Sequence, residues 1–232
     1  MSLKIYAIDE WSKIENQYIW QNKTKKLASK RIYLIRHGQT DYNLQGIVQG
    51  SSVDTPLNAT GRMQAQLFYD HYKHIKFDKI YTSKLQRTHQ SVEGFINQNI
   101  PWEQHEGLNE ISWGKFDGVK ATVEERAYYT SIMNRWSLGE THLNIGGGES
   151  PETVHERQKP VWDLILSRAE EENVLVCIHG RAIRILMCYV MNVPLKEMDT
   201  FMHDNLCLYL LEYKGGKVTI VKANSQEHLA SL

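Results

Sequence analysis

The sequence predicts an α/β fold, a mostly parallel central sheet flanked by helices on both faces. Three observations point there. Strand-like apolar runs alternate with amphipathic helical stretches from residue 31 onward. The helical stretch RAIRILMCYVMN (181–192) follows the strand-like NVLVCIH (173–179) directly, as in a βα unit. Late in the chain, GGKV (215–218) marks an antiparallel hairpin that closes an otherwise parallel sheet. At 232 residues the chain has the length of one such domain with a sizeable core, and no repeat, low-complexity tract or linker divides it.

The elements follow in order. Residues 1–30 form an N-terminal extension, in which Trp11, Ile14, Tyr18 and Ile19 recur at helical spacing and predict a short docked helix. A basic connector, Lys23 to Arg31, leads into the main domain, 31–232. Strands are expected at RIYLIR (31–36), DKIYTS (78–83) and NVLVCIH, with LCLYLLEY (206–213) and KVTIVKA (217–223) as the closing pair. TGRMQAQLFYDHYKHI (60–75) and KLQRTHQSVEGFINQ (84–98) read as helices. So does SPETVHERQKPVWDLILSRAEEE (150–172), with Ser150 as N-cap, Pro151 in the first turn and a kink expected at Pro160.

Composition narrows the function. Lys+Arg and Asp+Glu balance at 27 each, so no global field attracts nucleic acid or an anionic membrane, and an anion site has to be local. Three cysteines, Cys177, Cys188 and Cys207, lie in apolar runs without CxxC spacing, which predicts buried reduced thiols in place of a disulfide frame or metal site. No window reaches the 18 apolar residues of a membrane span and the start of the chain lacks the apolar core of a secretion signal, so a soluble cytoplasmic protein is expected.

In an open parallel sheet, ligands bind beyond the carboxyl ends of the strands. Three predicted strands end there in reactive or cationic residues. The first ends Arg36-His37-Gly38, the second runs into Ser83 with Arg87 one turn on, and the third ends His179-Gly180-Arg181. Singly these mean little. A histidine at a strand end is usually a satisfied polar group, Arg87 alone a solvated helix residue, Gly38 or Gly180 a turn, and Gly146-Gly147-Gly148 a flexible loop before a cap. A P-loop is excluded because no Gly-Lys-Ser/Thr follows, and a dinucleotide fingerprint because GQTDYN lacks the later glycines. Together, two imidazoles and two guanidiniums converging on one crevice make an anion site that can supply a nucleophile.

These residues sit in a series of motifs: RHGQTDYN (36–43), QGSSVDTPLNATGRMQA (49–65), YTSKLQRTHQS (81–91), LNEISWGKFDG (108–118), GGESPETVHER (147–157) and CIHGRAIRIL (177–186). In that order they resemble the histidine phosphatase superfamily, the phosphoglycerate mutase-like proteins with an RHG motif. The resemblance spans residues 31 to about 213 and implies a three-layer sandwich. It implies that His37 is the nucleophile that becomes phosphohistidine, and that Arg36, Arg87 and His179 hold the phosphoryl oxygens with Asn43 as a neutral donor. Glu110 would be the proton donor to the leaving oxygen. It implies no cofactor and no metal. Glu110 then has to start neutral, so burial beside aromatics such as Trp113 is expected.

One position departs from the family. Many members carry Arg where this chain has Ile47, which removes a cation close to the phosphate. The segment from Lys120 to Gly148, with Tyr128, Tyr129, Met133, Trp136, Arg126 and Arg135, is expected to cover the pocket. It lacks the Arg-Arg-Ser cluster with which the mutases grip a carboxylate. The resulting expectation is a phosphomonoesterase acting on a small-molecule phosphate monoester. A cofactor-dependent phosphoglycerate mutase and a catalytically idle phospholigand-binding module are the alternatives, and a homodimer is left open.

Overall fold

Alternation within the first strand decides how the layers assemble. In Ser29–Arg36 (β1), Ile32 and Leu34 point into one apolar cluster and Tyr33 and Ile35 into another, as the two-residue period of a strand requires. Every one of these side chains is buried, so both faces of the sheet must be covered. The computed structural model describes residues 29–232, and the expected docked helix of the extension lies outside the described residues.

The elements run β1, α1 (Asp41–Gln45), α2 (Ala59–Tyr72), β2 (Lys79–Thr82), α3 (Gln86–Ser91), α4 (Glu93–Ile96) and β3 (Trp102–Gln104). Then come α5 (Val123–Ser137), α6 (Pro151–Ser167), β4 (Asn173–Ile178), α7 (Gly180–Met191), β5 (Leu208–Lys214) and β6 (Lys217–Ser225). They form one six-stranded sheet in the order β3-β2-β4-β1-β5-β6. β1 and β2 each pair parallel with β4, and β3 pairs parallel with β2. β5 runs antiparallel to β1 and β6 antiparallel to β5, across the Gly215-Gly216 turn.

Helices α6 and α7 bury Val161, Trp162, Ile165, Ile183 and Leu186 on one face. On the other face α2 contributes Phe68 and Tyr72 and α4 contributes Phe95, with Val92 from the joint between α3 and α4. The three-layer arrangement expected from the sequence is therefore present. A third cluster, Trp113, Phe116, Ile132, Trp136, Ile145 and Val154, ties the cover segment to the body.

Local differences from the expected elements have identifiable causes. The helix expected over 84–98 breaks at Val92, where φ is −121° and ψ 12°. Just before the break, Ser91 Oγ donates to the Arg87 carbonyl at 2.6 Å and accepts from Gly38 N–H at 2.9 Å, so a side chain competes with the helical ladder. The helix expected to reach Glu172 stops at Ser167. There Lys30 Nζ takes over the orphan carbonyls of Arg168 and Glu171 at 2.8 and 2.5 Å, while Arg168 Nη1 turns to the Tyr81 hydroxyl and to Glu103. Pro160 lies inside α6, which stays assigned as one helix throughout. Strand β3 and the short α1 carry too few residues to register as periodic patterns.

A glycine is obligatory at the end of β1. A Cβ on Gly38 would stand 2.7 Å from the Gly61 carbonyl oxygen in the first turns of α2. Replacing Gly38→Ala is expected to cost about 1–3 kcal/mol of stability. A urea titration should show a lower midpoint with an unchanged slope, and an unchanged midpoint would refute the contact.

Candidate active site

The carboxyl end of β1 delivers His37 to the floor of a cleft, with its main chain tied across the sheet. His37 N–H donates to Ile178 O at 3.0 Å, and His37 O accepts from Leu206 N–H at 3.3 Å and Asn205 Nδ2 at 3.2 Å. The imidazole Nδ1 stands 2.7 Å from Gly38 O. Because a carbonyl only accepts, Nδ1 carries the proton and Nε2 keeps its lone pair. Nε2 has no protein partner. Burial first, then the charges of Arg87 and Arg36, hold His37 well below the usual histidine range, so the ring is neutral at neutral pH.

His179 stands behind His37, with ring centroids 5.1 Å apart. It is fully buried. Its Nδ1 accepts from Arg87 Nε at 3.2 Å, which leaves Nε2–H to donate to Ser83 Oγ at 2.8 Å. Burial and the Arg87 charge keep it, too, well below the usual range. Arg87 uses its other nitrogens on the carbonyls of Val53 and Gly50, and burial pulls it down to about 10, so it remains charged.

Arg36 donates from Nη1 to His203 O at 2.9 Å, whereas its buried Nε has no hydrogen-bond partner among the described residues. Asn43 caps the turn into α1. Its Oδ1 accepts from Thr40 N–H at 3.1 Å and Asn205 Nδ2 at 3.2 Å, an assignment that turns its Nδ2 donor toward the cleft.

Glu110 reaches the same cleft from the loop after the short turn Glu106–Leu108. Arg157 fixes that loop by donating to the carbonyls of Gly107, Asn109 and Glu110, and is itself paired with Glu149. The carboxyl group meets the N-terminus of α7. Oε1 accepts from Ile111 N–H and Ala182 N–H, each at 2.9 Å, and Oε2 accepts from Arg181 N–H at 3.0 Å. Backbone amides therefore hold its oxygens, because the first turn of a helix offers free N–H groups, while Trp113 and Tyr129 line the same cleft. Oε2 accepts one hydrogen bond to the two of Oε1, so it keeps a free lone pair.

The cleft measures about 290 Å³ and is walled by Arg36, His37, Asn43, Glu110, Arg181 and His203, with Ile47 and Tyr129 at its sides. Of the six residues singled out in the sequence, Arg36, His37, Asn43 and Glu110 face this space. Arg87 and His179 form the buried layer behind it.

The profile of the histidine phosphatase superfamily (branch 1) matches residues 32–226. The chain belongs to that superfamily. The phosphatase PhoE of Bacillus subtilis is 30% identical over 86% of this chain and 96% of its own length. Phosphoserine phosphatase 1 of Hydrogenobacter thermophilus is 27% identical over 86% of this chain and 94% of its own. The solved structure of Bacillus stearothermophilus YhfR superposes with a TM-score of 0.75 at 27% identity, covering 86% of this chain and 99% of that one. Among the described residues no helix is long and apolar enough to cross a membrane.

Some residues of the cleft escaped the sequence. His203 and Asn205 lie in a loop without a motif, and Arg157 was not distinguished within GGESPETVHER. Strand direction could have found the loop. β5 is antiparallel to β1, so the residues entering it must lie at the carboxyl edge of the parallel strands. Burial and Arg36 push His203 down to about 3.

These neutral imidazoles make a stability prediction. Below pH 6.5 the unfolded chain protonates His37, His179 and His203, and the folded chain does not, so stability is undiminished above pH 6.5 and falls beneath it. Each histidine contributes a slope of about 1.4 kcal/mol per pH unit. Denaturant titrations from pH 7.5 to 4.5 should show the decline, and stability constant down to pH 5 would refute it.

Proposed function

We propose that this protein is a phosphomonoesterase that hydrolyses a small phosphorylated metabolite through a phosphohistidine at His37. The carrying observation is that an unprotonated His37 shares one cleft with the Arg36 guanidinium, the Asn43 side-chain amide and Glu110. The guanidinium and the Asn43 side-chain N–H groups are donors for phosphoryl oxygens. Arg87 contributes its charge from behind, where it also keeps His37 and His179 neutral.

In the first step Nε2 attacks phosphorus in line and the P–O bond to the leaving group breaks. The proton on Glu110 Oε2 passes to the departing oxygen. In the second step water attacks the phosphohistidine and gives its proton to Glu110, the N–P bond breaks and inorganic phosphate leaves. The buried cations supply the charge that a metal supplies elsewhere. Among the described residues no group of three or more His, Cys, Asp and Glu is placed to hold a metal ion.

Hydrolysis is favoured over mutase action by the cover. A mutase has to retain a phosphorylated acceptor. Here Arg135 is committed to Glu140 on the exposed side of α5, and Arg126 lines a neighbouring pocket, not the one that holds His37.

Purified His37→Ala protein should lose turnover by about a thousandfold or more while remaining folded. Retention of near wild-type kcat would sink the nucleophile assignment. Hydrolysis should also survive EDTA and be inhibited by vanadate, whose trigonal-bipyramidal form mimics in-line transfer. Activity lost to chelator and restored by a divalent cation would contradict this mechanism.

A further inference from the structure

The residues that hold the main chain of His37 are themselves held from outside the cleft. Leu206 N–H and Asn205 Nδ2 both donate to His37 O, at 3.3 and 3.2 Å. The carbonyls of the same two residues turn the other way, to the turn that follows β6. There His228 Nε2 stands 2.8 Å from Leu206 O, and Gln226 Nε2 stands 3.4 Å from Asn205 O. Residues 205 and 206 therefore bridge the nucleophile and the turn Glu227–Leu229.

His228 sits in surroundings that packing alone would fill with an apolar ring. It is 4% exposed and meets Phe68 edge-on with ring centroids 5.0 Å apart, with Tyr72 and His71 of α2 also around it. Phenylalanine would occupy this space with no polar atom, whereas His228 leaves Nδ1 buried without a hydrogen-bond partner among the described residues. What only the imidazole supplies is Nε2–H, because the Leu206 carbonyl accepts and cannot donate. Burial pushes the ring down to about 4, so it is a neutral donor. Leu206 depends on that donor. It is fully buried at φ 54°, and a side-chain-bearing residue released from this region relaxes to negative φ and swings its N–H away from His37 O.

We propose that His228 is a positioning residue for the nucleophile. By donating to Leu206 O it holds residues 205 and 206 against His37, and so keeps His37 aimed for in-line attack although it forms no wall of the cleft. The same bridge sets Asn43, whose Oδ1 accepts from Asn205 Nδ2. The inference rests on the phosphomonoesterase reading of the cleft. A displaced nucleophile weakens the transition state far more than bound product, since only the transition state requires nitrogen and phosphorus in line.

The test is hydrolysis of p-nitrophenyl phosphate with vanadate and inorganic phosphate as inhibitors. His228→Phe keeps the packing and removes the donor. It should lower kcat/KM about ten- to a hundredfold and raise the inhibition constant of vanadate by a similar factor, while that of inorganic phosphate moves less than about threefold. A loss of folded molecules alone lowers the measured kcat and leaves both inhibition constants in place. His228→Gln, whose side-chain amide can donate to the same carbonyl, should recover most of the activity and of the vanadate affinity. Lys222→Ala, which breaks the exposed ion pair to Glu227 on the same turn, should change neither. Vanadate inhibition of His228→Phe equal to wild type, or a deficit that His228→Gln shares in full, would overturn the positioning role while leaving the phosphatase reading intact. Wild-type protein that neither cleaves p-nitrophenyl phosphate nor binds vanadate would overturn that reading, and this inference with it.

Discussion

Two guanidiniums and two imidazoles can share one buried corner of a protein only if the imidazoles stay neutral. Everything around the strand ends serves that condition. His37 is neutral because it is buried beside Arg87 and Arg36, and His179 because it is buried with its Nδ1 accepting from Arg87. Arg87, fully buried, needs acceptors for the rest of its fork and finds them in the carbonyls of Val53 and Gly50. The loop that follows α1 is therefore anchored by the same arginine whose charge, after burial, holds His37 neutral. The protonation state of His37 and local folding depend on one set of contacts.

Glu110 is placed by a different device. Its loop has no strand or long helix to hold it, so Arg157 binds the carbonyls of Gly107, Asn109 and Glu110 from α6 while Glu149 balances the charge. The α7 N-terminus then receives the carboxyl group through Arg181 and Ala182. Since α7 begins immediately after His179, the element that ends the buried imidazole layer also fixes the acid. The distance between nucleophile side and leaving-group side is thus set by the first turn of one helix.

Legibility in the sequence followed the range of the interaction. The sheet, its buried strands and helices α2, α6 and α7 could be read because they rest on apolar periodicity, which is local. Arg36, His37, Arg87, Glu110 and His179 could be read because they end strands or lie in compact motifs. Elements of three to five residues, β3 and α1, could not, and the break at Val92 depends on Ser91 reaching Gly38, 53 residues away in sequence. Asn205 and His203 were invisible for the same reason, since their importance arises only when β5 pairs antiparallel with β1. That Glu110 is buried in one cleft with Trp113 was legible in LNEISWG, while its contacts to Arg181 and Ala182, some seventy residues downstream, were not.

That antiparallel turn is what makes the site a pocket instead of an open crevice. With β5 parallel, the chain would enter it from the opposite edge and the carboxyl ends of β1 and β4 would face solvent. Running it backwards carries residues 201–207 over those ends, where the His203 carbonyl takes Arg36 Nη1 and the Asn205 amide takes both His37 O and Asn43 Oδ1. The backbone is strained to do this, for Leu206 is held at φ 54° while fully buried, in a region that costs a branched side chain on the order of 1 kcal/mol. The loop is secured from β6 by the paired Asp204 and Asn224 side chains and from the C-terminal turn by His228 on Leu206 O. Strain at Leu206 is therefore the consequence of aiming three donors and acceptors at β1 from a single short loop. Arg36 Nε, left without a partner among the described residues, packs instead against the start of α7, where a Cβ on Gly180 would stand 3.3 Å from it.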